Sequence, residues 1–289
     1  MILNASGCLD ALTAPEVAQQ LDAYVTKTVT PLPRGGNEPI RIAETDVGML
    51  NSIGLANPGI EAFVAEVLPR LAELRVSIWV SVGGFSAHDY ADLCRRLERE
   101  TVVETIELNV SCPNVAEPPE SVAEIVAAAR SATSKPLFAK LAPASADMAE
   151  VAQAAAAAGA DGLSLVNTIR GLALDAPTLE PTLSTATGGL SGPPLRPLAL
   201  AAVYACFRAT ALPIVGMGGV ETGRHALELI AAGASACALG TVLFRDPEAP
   251  ARIRAELEAE AAALGFEDPL AAYGAAHGEA RRRPLRRVA

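Results

Sequence analysis

The sequence predicts an α/β protein, a single-domain (β/α)8 TIM barrel, and three observations support this prediction. Eight short β-rich runs recur along the chain of 289 residues. Amphipathic or alanine-rich stretches separate them, and this alternation of strand and helix implies parallel strands joined by right-handed crossovers. Most of the runs are almost entirely apolar, as expected for strands covered on both faces. The predicted strands are residues 2–5, 24–29, 77–82, 105–110, 136–141, 162–167, 213–216 and 234–239.

The helical stretches between these strands carry start and stop signals. Ser86 precedes the stretch AHDYADLCRRLERE as an N-cap, and Gly233 ends the stretch that begins at Glu221. An open doubly wound sheet is the alternative fold, but no GxGxxG motif follows the first predicted strand. The barrel is predicted to span residues 1–270, and residues 271–289, which include a basic cluster, are predicted to form a partly disordered tail.

Two long insertions interrupt the repeating unit. Residues 31–58 follow the second predicted strand, and residues 168–197 follow the sixth. Long connections in compact domains usually serve a function. Both insertions follow the carboxyl end of a strand, which is the end where the active sites of barrels lie. We therefore expect both insertions to contribute to a site.

Composition and charge argue against several classes of function. The formal net charge of −10 argues against nucleic acid or an anionic membrane as the main partner. The five cysteines are scattered without CxxC spacing, so neither a disulfide framework nor a metal or iron–sulfur site is predicted. The first residues lack a basic region followed by a long apolar run, which argues against a signal peptide and predicts a cytoplasmic protein.

Polar residues collect at the carboxyl ends of the predicted strands. Only three of the 23 basic residues are lysines, and two of them, Lys27 and Lys140, lie in a strand or at its end. A planar guanidinium does not replace an ammonium group where a compact charge is needed, so both lysines are predicted to be functional. The alternative for these lysines is a structural ion pair with Glu107 or Asp161 inside the barrel.

Glycines and two cysteines complete this set of strand-end residues. Gly218 and Gly219 follow the seventh predicted strand and Gly240 follows the eighth, which predicts a phosphate site, with tight turns as the alternative. Cys112 follows the fourth strand, and its thiol can serve as a nucleophile or a base. Cys8 follows the first strand, and its role stays open. No histidine lies at a predicted strand end, which argues against a Ser–His–Asp triad.

Nine motifs resemble those of the class 1 dihydroorotate dehydrogenases, FMN-dependent barrels of pyrimidine synthesis, and they follow the order of that family over residues 2–270. GMLNSIGLANPG is more similar to the class 1B branch than to the fumarate-using class 1A branch. Ser81 stands where class 1B members usually have asparagine. The motifs are ASG, VTKTVTPLPRGGNEPIR, ETDVGMLNSIGLANPG, IELNVSCPN, AKLAP, GADGLSLVNT, GGLSGPPLRPLAL, PIVGMGGV and GASACALGT.

The resemblance implies a reaction and a set of residue roles. (S)-Dihydroorotate would be oxidised to orotate, with Cys112 taking the C5 proton while a hydride passes from C6 to N5 of FMN. Lys140 would lie by the N1/O2 edge of the flavin, where it stabilises negative charge. The implied cofactor-binding residues are Ser6, Lys27, Thr28, Ser81, Asn109, Lys140, Val166, Gly192, Gly218, Gly219, Gly240 and Thr241. The implied substrate-binding residues are Lys27, Asn51, Ser52, Ile53, Gly54, Leu55, Asn109, Asn114, Asn167 and Thr168.

The resemblance also implies partners. In class 1B a separate subunit carries FAD and a [2Fe–2S] cluster and passes electrons to NAD, and a homodimer is expected. Three alternatives stay open: a dihydroorotate dehydrogenase that uses fumarate or quinone, a related dihydropyrimidine oxidoreductase, and a barrel that serves as a non-catalytic subunit. A dihydrouridine synthase acting on tRNA is disfavoured by the net charge of −10.

Overall fold

The computed structural model describes residues 1–110, 121–143 and 147–278. The described strands are β1 (Ile2–Asn4), β2 (Ala23–Val25), β3 (Ile42–Thr45), β4 (Gly48–Asn51), β5 (Ser77–Val82), β6 (Val103–Asn109), β7 (Leu137–Leu141), β8 (Gly162–Leu165), β9 (Ile169–Leu172), β10 (Thr187–Ser191), β11 (Ile214–Met217) and β12 (Ala236–Leu239). The described α-helices are α1 (Pro15–Ala18), α2 (Ile60–Ala62), α3 (Leu68–Ala72), α4 (Ala87–Glu98), α5 (Val122–Ala132), α6 (Met148–Ala157), α7 (Arg196–Ala209), α8 (Gly223–Ala232) and α9 (Ala249–Ala263). A π-helical segment, Phe63–Val67, joins α2 to α3.

Eight parallel strands of the described chain close into a barrel in the order β1, β12, β11, β8, β7, β6, β5 and β2. Each of them overlaps one of the eight predicted runs, so the barrel prediction is confirmed. Side chains such as Leu3, Trp79, Phe138 and Met217 fill the barrel interior in one apolar cluster. A larger cluster packs the outer faces of the strands against the helices. The strands are therefore covered on both faces, which accounts for their apolar sequences.

The helix signals read from the sequence are present in the structure. The Ser86 side chain accepts a hydrogen bond from the backbone N–H of Asp89 and caps α4. Gly233 ends α8 in the left-handed conformation, with φ of +118°. Among the described helices, none combines the length and the apolar character that crossing a bilayer requires.

The two long insertions pair with each other. They contribute β3 and β4 from the first insertion and β9 and β10 from the second, which form a four-stranded antiparallel sheet in the order β3, β4, β10, β9. Asn51 on β4 lies opposite Gly189 on β10, and the Asn51 amide donates to the Gly189 carbonyl oxygen at 3.3 Å. The insertions are thus a second layer of ordered structure rather than loops.

The chain packs against the barrel as far as His277. His277 is buried and stacks on Tyr204 and Phe207, with ring centroids 4.1 and 4.4 Å apart. One ring nitrogen of His277, Nε2, is 2.9 Å from the carbonyl oxygen of Ala232 at the end of α8. The first residues of the segment 271–289 are therefore packed, and residues 279–289 lie outside the described part of the chain.

Candidate active site

A cavity lies between the carboxyl ends of the barrel strands and the insertion sheet. It has about 1280 Å³ of space that protein atoms do not fill, including the part open to solvent. The predicted cofactor and substrate residues that line it are Ser6, Lys27, Thr28, Asn51, Ile53, Gly54, Leu55, Asn109, Lys140, Val166, Asn167, Thr168, Gly192, Gly218, Gly219, Gly240 and Thr241. Parallel strands bring their carboxyl ends to one rim, which is why residues so far apart in sequence share this cavity.

A chain of hydrogen bonds crosses the floor of the cavity from strand to strand. The Thr28 hydroxyl lies 3.3 Å from the Ser6 hydroxyl and 3.1 Å from the Ser81 hydroxyl. It also accepts a hydrogen bond from the Asn109 amide at 3.1 Å. The Asn109 side-chain oxygen in turn accepts from the Asn167 amide at 3.0 Å. These bonds fix the orientation of two carboxamides at the rim before any ligand binds.

Two of the predicted contact residues lie behind the cavity wall. Ser81 is 0% exposed and reaches the cavity only through its bond to Thr28. Ser52 is 1% exposed, and its hydroxyl accepts from the Asn37 amide at 2.8 Å and from the Thr185 hydroxyl at 2.6 Å. Ser81 and Ser52 are therefore placed to support the cavity wall rather than to contact a ligand directly.

Two further predicted residues, Cys112 and Asn114, lie outside the described residues. The base expected from the sequence is therefore one of the residues that the structure does not describe. Its proposed role continues to rest on the resemblance of the IELNVSCPN motif.

Both strand-end lysines line the cavity. The Lys140 ammonium is 3.5 Å from the Glu107 carboxylate, and both residues are buried. Asp161, the other acidic residue considered for an internal pair, instead accepts from Arg130 at 2.8 Å at the opposite end of the barrel. Lys140 thus lines the cavity and also forms an ion pair with Glu107, so that the functional position and the structural ion pair predicted as alternatives are both present.

Cys8 is a member of the cavity wall that the sequence left open. It is half-buried and lies close to the two lysines. Burial raises the pKa of the Cys8 thiol, and the positive charges of Lys140 and Lys27 offset that rise only in part. The thiol of Cys8 is therefore protonated at neutral pH.

Glycines with left-handed backbone conformations line one end of the cavity. Gly192, Gly218 and Gly219 have φ values of +95°, +127° and +68°. Next to them, the Thr241 hydroxyl donates to the Ser191 hydroxyl at 2.9 Å. A glycine-lined turn allows backbone N–H groups to approach an anion closely. This end of the cavity fits the phosphate of FMN, and the lysines and carboxamides fit the polar edge of its ring.

We expect Gly219→Ala to weaken FMN binding to the apoprotein by about tenfold or more, because a non-glycine residue is strained at this φ. The added Cβ would also lie 2.9 Å from both Arg196 Cβ and the Gly192 carbonyl oxygen. Quenching of FMN fluorescence on titration measures the affinity. The matched control is Gly35→Ala, where the added Cβ meets no described atom within 4 Å. Equal affinities of the two variants would contradict the phosphate assignment.

Comparison with known proteins adds a family to this geometry. The family model described as dihydroorotate dehydrogenase matches residues 1–260. The chain belongs to the dihydroorotate dehydrogenase family. This match confirms the resemblance that the nine motifs indicated. Members of this family bind FMN in a TIM barrel.

Several relatives in this family share most of their length with the chain. The catalytic subunit of dihydroorotate dehydrogenase B (NAD(+)) from Desulforudis audaxviator is 43% identical over 96% of this chain and 93% of the relative. A putative dihydroorotate dehydrogenase A (fumarate) from Solibacter usitatus is 44% identical over 82% of this chain and 80% of the relative. The crystal structure of ligand-free DHODH from Eimeria tenella has a TM-score of 0.81 and 25% identity, covering 96% of this chain and 88% of that one.

The sequence missed several residues of the cavity wall. Ile42 and Met49 on β3 and β4 and Ser191 on β10 reach the cavity only because the insertions pair. Met217, Glu221 and Phe244 flank the two glycine turns after β11 and β12. Proximity to those turns is the signal that could have identified the second group.

Proposed function

We propose that the chain oxidises (S)-dihydroorotate to orotate in de novo pyrimidine biosynthesis, in the cytoplasm, with FMN in the cavity as the hydride acceptor. One observation carries this proposal. The cavity brings together two ammonium groups, three carboxamides and a glycine-lined end in a chain of the dihydroorotate dehydrogenase family. A planar substrate with ring amides and a carboxylate requires this set of donors and acceptors, and a phosphate-bearing cofactor requires the glycines.

The residues have distinct proposed roles toward the two ligands. The glycine-lined end and Thr241 hold the FMN phosphate, while Lys140 faces the ring. Lys27 and Asn109 contact both the flavin and the substrate. Asn167 bonds the ring amides of the substrate, and Asn51 binds its carboxylate and ring. The other proposed contacts are Ser6, Thr28 and Val166 for the cofactor and Ile53, Gly54, Leu55 and Thr168 for the substrate.

The proposed reaction removes two hydrogens from the substrate. The FMN that these residues would hold would supply the acceptor for the C6 hydride, and the Cys112 thiolate would take the C5 proton, so that the C5–C6 bond would become double. Carboxamides that are already oriented reduce the reorganisation that substrate binding requires. The hydrogen-bonded floor of the cavity is the part of the described structure that supplies this orientation.

The relatives' names favour a partner subunit for the second half of the reaction. Three of the relatives at 40–43% identity are catalytic subunits of dihydroorotate dehydrogenase B (NAD(+)). We propose that this chain forms a homodimer and passes electrons to a separate FAD and [2Fe–2S] subunit, which reduces NAD. The fumarate-type relative at 44% identity makes direct use of fumarate the second candidate. Steady-state assays of the purified chain with fumarate, and with NAD in the presence and absence of the partner, distinguish the two.

The decisive measurement is the absorbance spectrum of the purified protein. We expect a yellow protein whose flavin bands bleach when dihydroorotate is added without oxygen. A protein that binds FMN but stays oxidised would contradict the proposal and support the non-catalytic alternative. The Gly35→Ala protein alters the first insertion without a steric conflict. Prepared in the same way, it is the matched control for loss of FMN during purification.

A further inference from the structure

A buried ion pair lies directly under the cavity wall. Lys140 lines the cavity and is 5% exposed, whereas Glu107 lies behind it and is 1% exposed. The Lys140 Nζ atom is 3.5 Å from Glu107 Oε1. In the register of β6 and β7, Glu107 is opposite Phe138, which packs inside the barrel, and Asn109 is opposite Lys140. The pair therefore occupies the barrel interior immediately below the site.

Polar atoms without hydrogen-bond partners lie next to this pair. Ser164 is opposite Lys140 in the strand register, and Thr105 is on the same face of β6 as Glu107. Among the described residues, the buried barrel atoms that have no hydrogen-bond partner are Trp79 Nε1, Thr105 Oγ1 and Ser164 Oγ, together with Glu107 Oε1, whose neighbour is the Lys140 ammonium of the ion pair. A buried ion pair is weak evidence for a contribution to fold stability, because removing two charges from water costs free energy. The position of this pair directly under the cavity points to a role toward a bound ligand.

The signs of the two charges determine their effect on a bound flavin. Reduction adds negative charge to the flavin ring, and an ammonium group alone would favour it. A carboxylate 3.5 Å from that ammonium converts a single charge into a pair, whose potential falls off faster with distance. Removal of the carboxylate should therefore strengthen the effect of Lys140 on the ring.

We propose that Glu107 is a positioning residue that holds Lys140 beneath the cavity and limits how strongly it stabilises reduced flavin. Glu107 thereby sets the reduction potential of the cofactor without touching it. This inference rests on the proposed function in one respect, which is that FMN occupies the cavity. It does not depend on which substrate reduces the flavin.

The test measures the equilibrium between the flavin of the FMN-loaded protein and a redox dye, without oxygen and without dihydroorotate. Glu107→Gln keeps the size of the side chain and removes its charge, and we expect a shift toward reduced flavin of about tenfold or more. Lys140→Met removes the ammonium group and leaves the Glu107 carboxylate as the single charge of the former pair, and we expect a shift toward oxidised flavin. Glu104→Gln is the matched control, because Glu104 is an exposed carboxylate on the same strand, and it should cause no shift.

A double variant guards against loss of folding. Removal of one member of a buried ion pair destabilises a protein, whereas Glu107→Gln combined with Lys140→Met leaves neither charge of the pair. Compared with Lys140→Met alone, the double variant reports the effect of the carboxylate, and we again expect a shift toward reduced flavin.

The outcomes separate this inference from the proposed function. Equal equilibria in wild type and Glu107→Gln, or a shift toward oxidised flavin, would overturn the inference even if dihydroorotate reduces the wild-type flavin. A shift in the expected direction in a protein that dihydroorotate does not reduce would support the inference and contradict the proposed function. A wild-type chain that does not bind FMN would overturn both.

Discussion

Replacement of Cys112 by serine is expected to slow reduction of the bound flavin by dihydroorotate by about 10²–10⁴-fold, the usual cost of losing a general base. A serine hydroxyl is a far weaker acid than a thiol, so it does not supply the anion that accepts the C5 proton at neutral pH. FMN binding should be unchanged, because all the cavity residues proposed to bind the cofactor except Asn109 are on other strand ends, and the substitution leaves Asn109 in place. Anaerobic stopped-flow absorbance measures the reduction rate directly.

Other thiols of the chain provide the comparison for this result. Cys94→Ala is the matched control, since Cys94 is fully buried on α4 and away from the cavity. Cys8→Ser tests the thiol that does line the cavity. Unchanged reduction in Cys112→Ser together with a large loss in Cys8→Ser would transfer the role of base to Cys8 and contradict our assignment.

Gly54→Ala is expected to raise the KM for dihydroorotate by about 100-fold, because displacement of a binding segment by as little as 1 Å has costs of this order. Gly54 has φ of +74°, and an added Cβ would lie 2.5 Å from Asn37 Oδ1 and 2.6 Å from Asn37 N. Leu55, the next residue, is also left-handed, with φ of +57°, so the segment cannot relax by a simple shift of the turn. Steady-state kinetics measures the KM, and the flavin spectrum shows whether FMN stays bound.

Gly35→Ala is again the matched control, because Gly35 belongs to the same insertion and has space for a Cβ. We expect its KM to equal that of the wild type. A Gly54→Ala protein with normal KM would show that the Asn51–Leu55 segment does not bind the substrate. A Gly54→Ala protein that loses FMN instead would place this segment against the cofactor.

The sequence could predict the barrel because the information for it is local. Each strand is a short apolar run followed by a helix with its own caps, such as Ser86 and Gly233, and no long-range contact is needed to recognise the pattern. The rim of the cavity follows from the same pattern, since polar residues at the carboxyl ends of parallel strands must converge. Lys27, Lys140 and Asn109 were predicted in this way, and all three line the cavity.

The part of the cavity wall that the insertion sheet supplies could not be predicted from the sequence, because it depends on contacts between distant segments. β4 pairs with β10, and residues such as Asn51 and Gly189 meet only in the folded chain. The position of Ser52, directly after the end of β4, likewise depends on distant segments. Asn51 and Ile53 line the cavity, whereas the Ser52 hydroxyl between them bonds Asn37 and Thr185.

The amino-acid sequence by itself therefore determined the barrel, its active end, the family and most of the residues on the rim. Tertiary structure alone decided how the insertions close over that rim, and that Lys140 faces the cavity with Glu107 behind it. The physical reason is the range of the interactions. Strand and helix patterns depend on neighbouring residues, whereas sheet pairing and buried charge pairs depend on groups that only folding brings together.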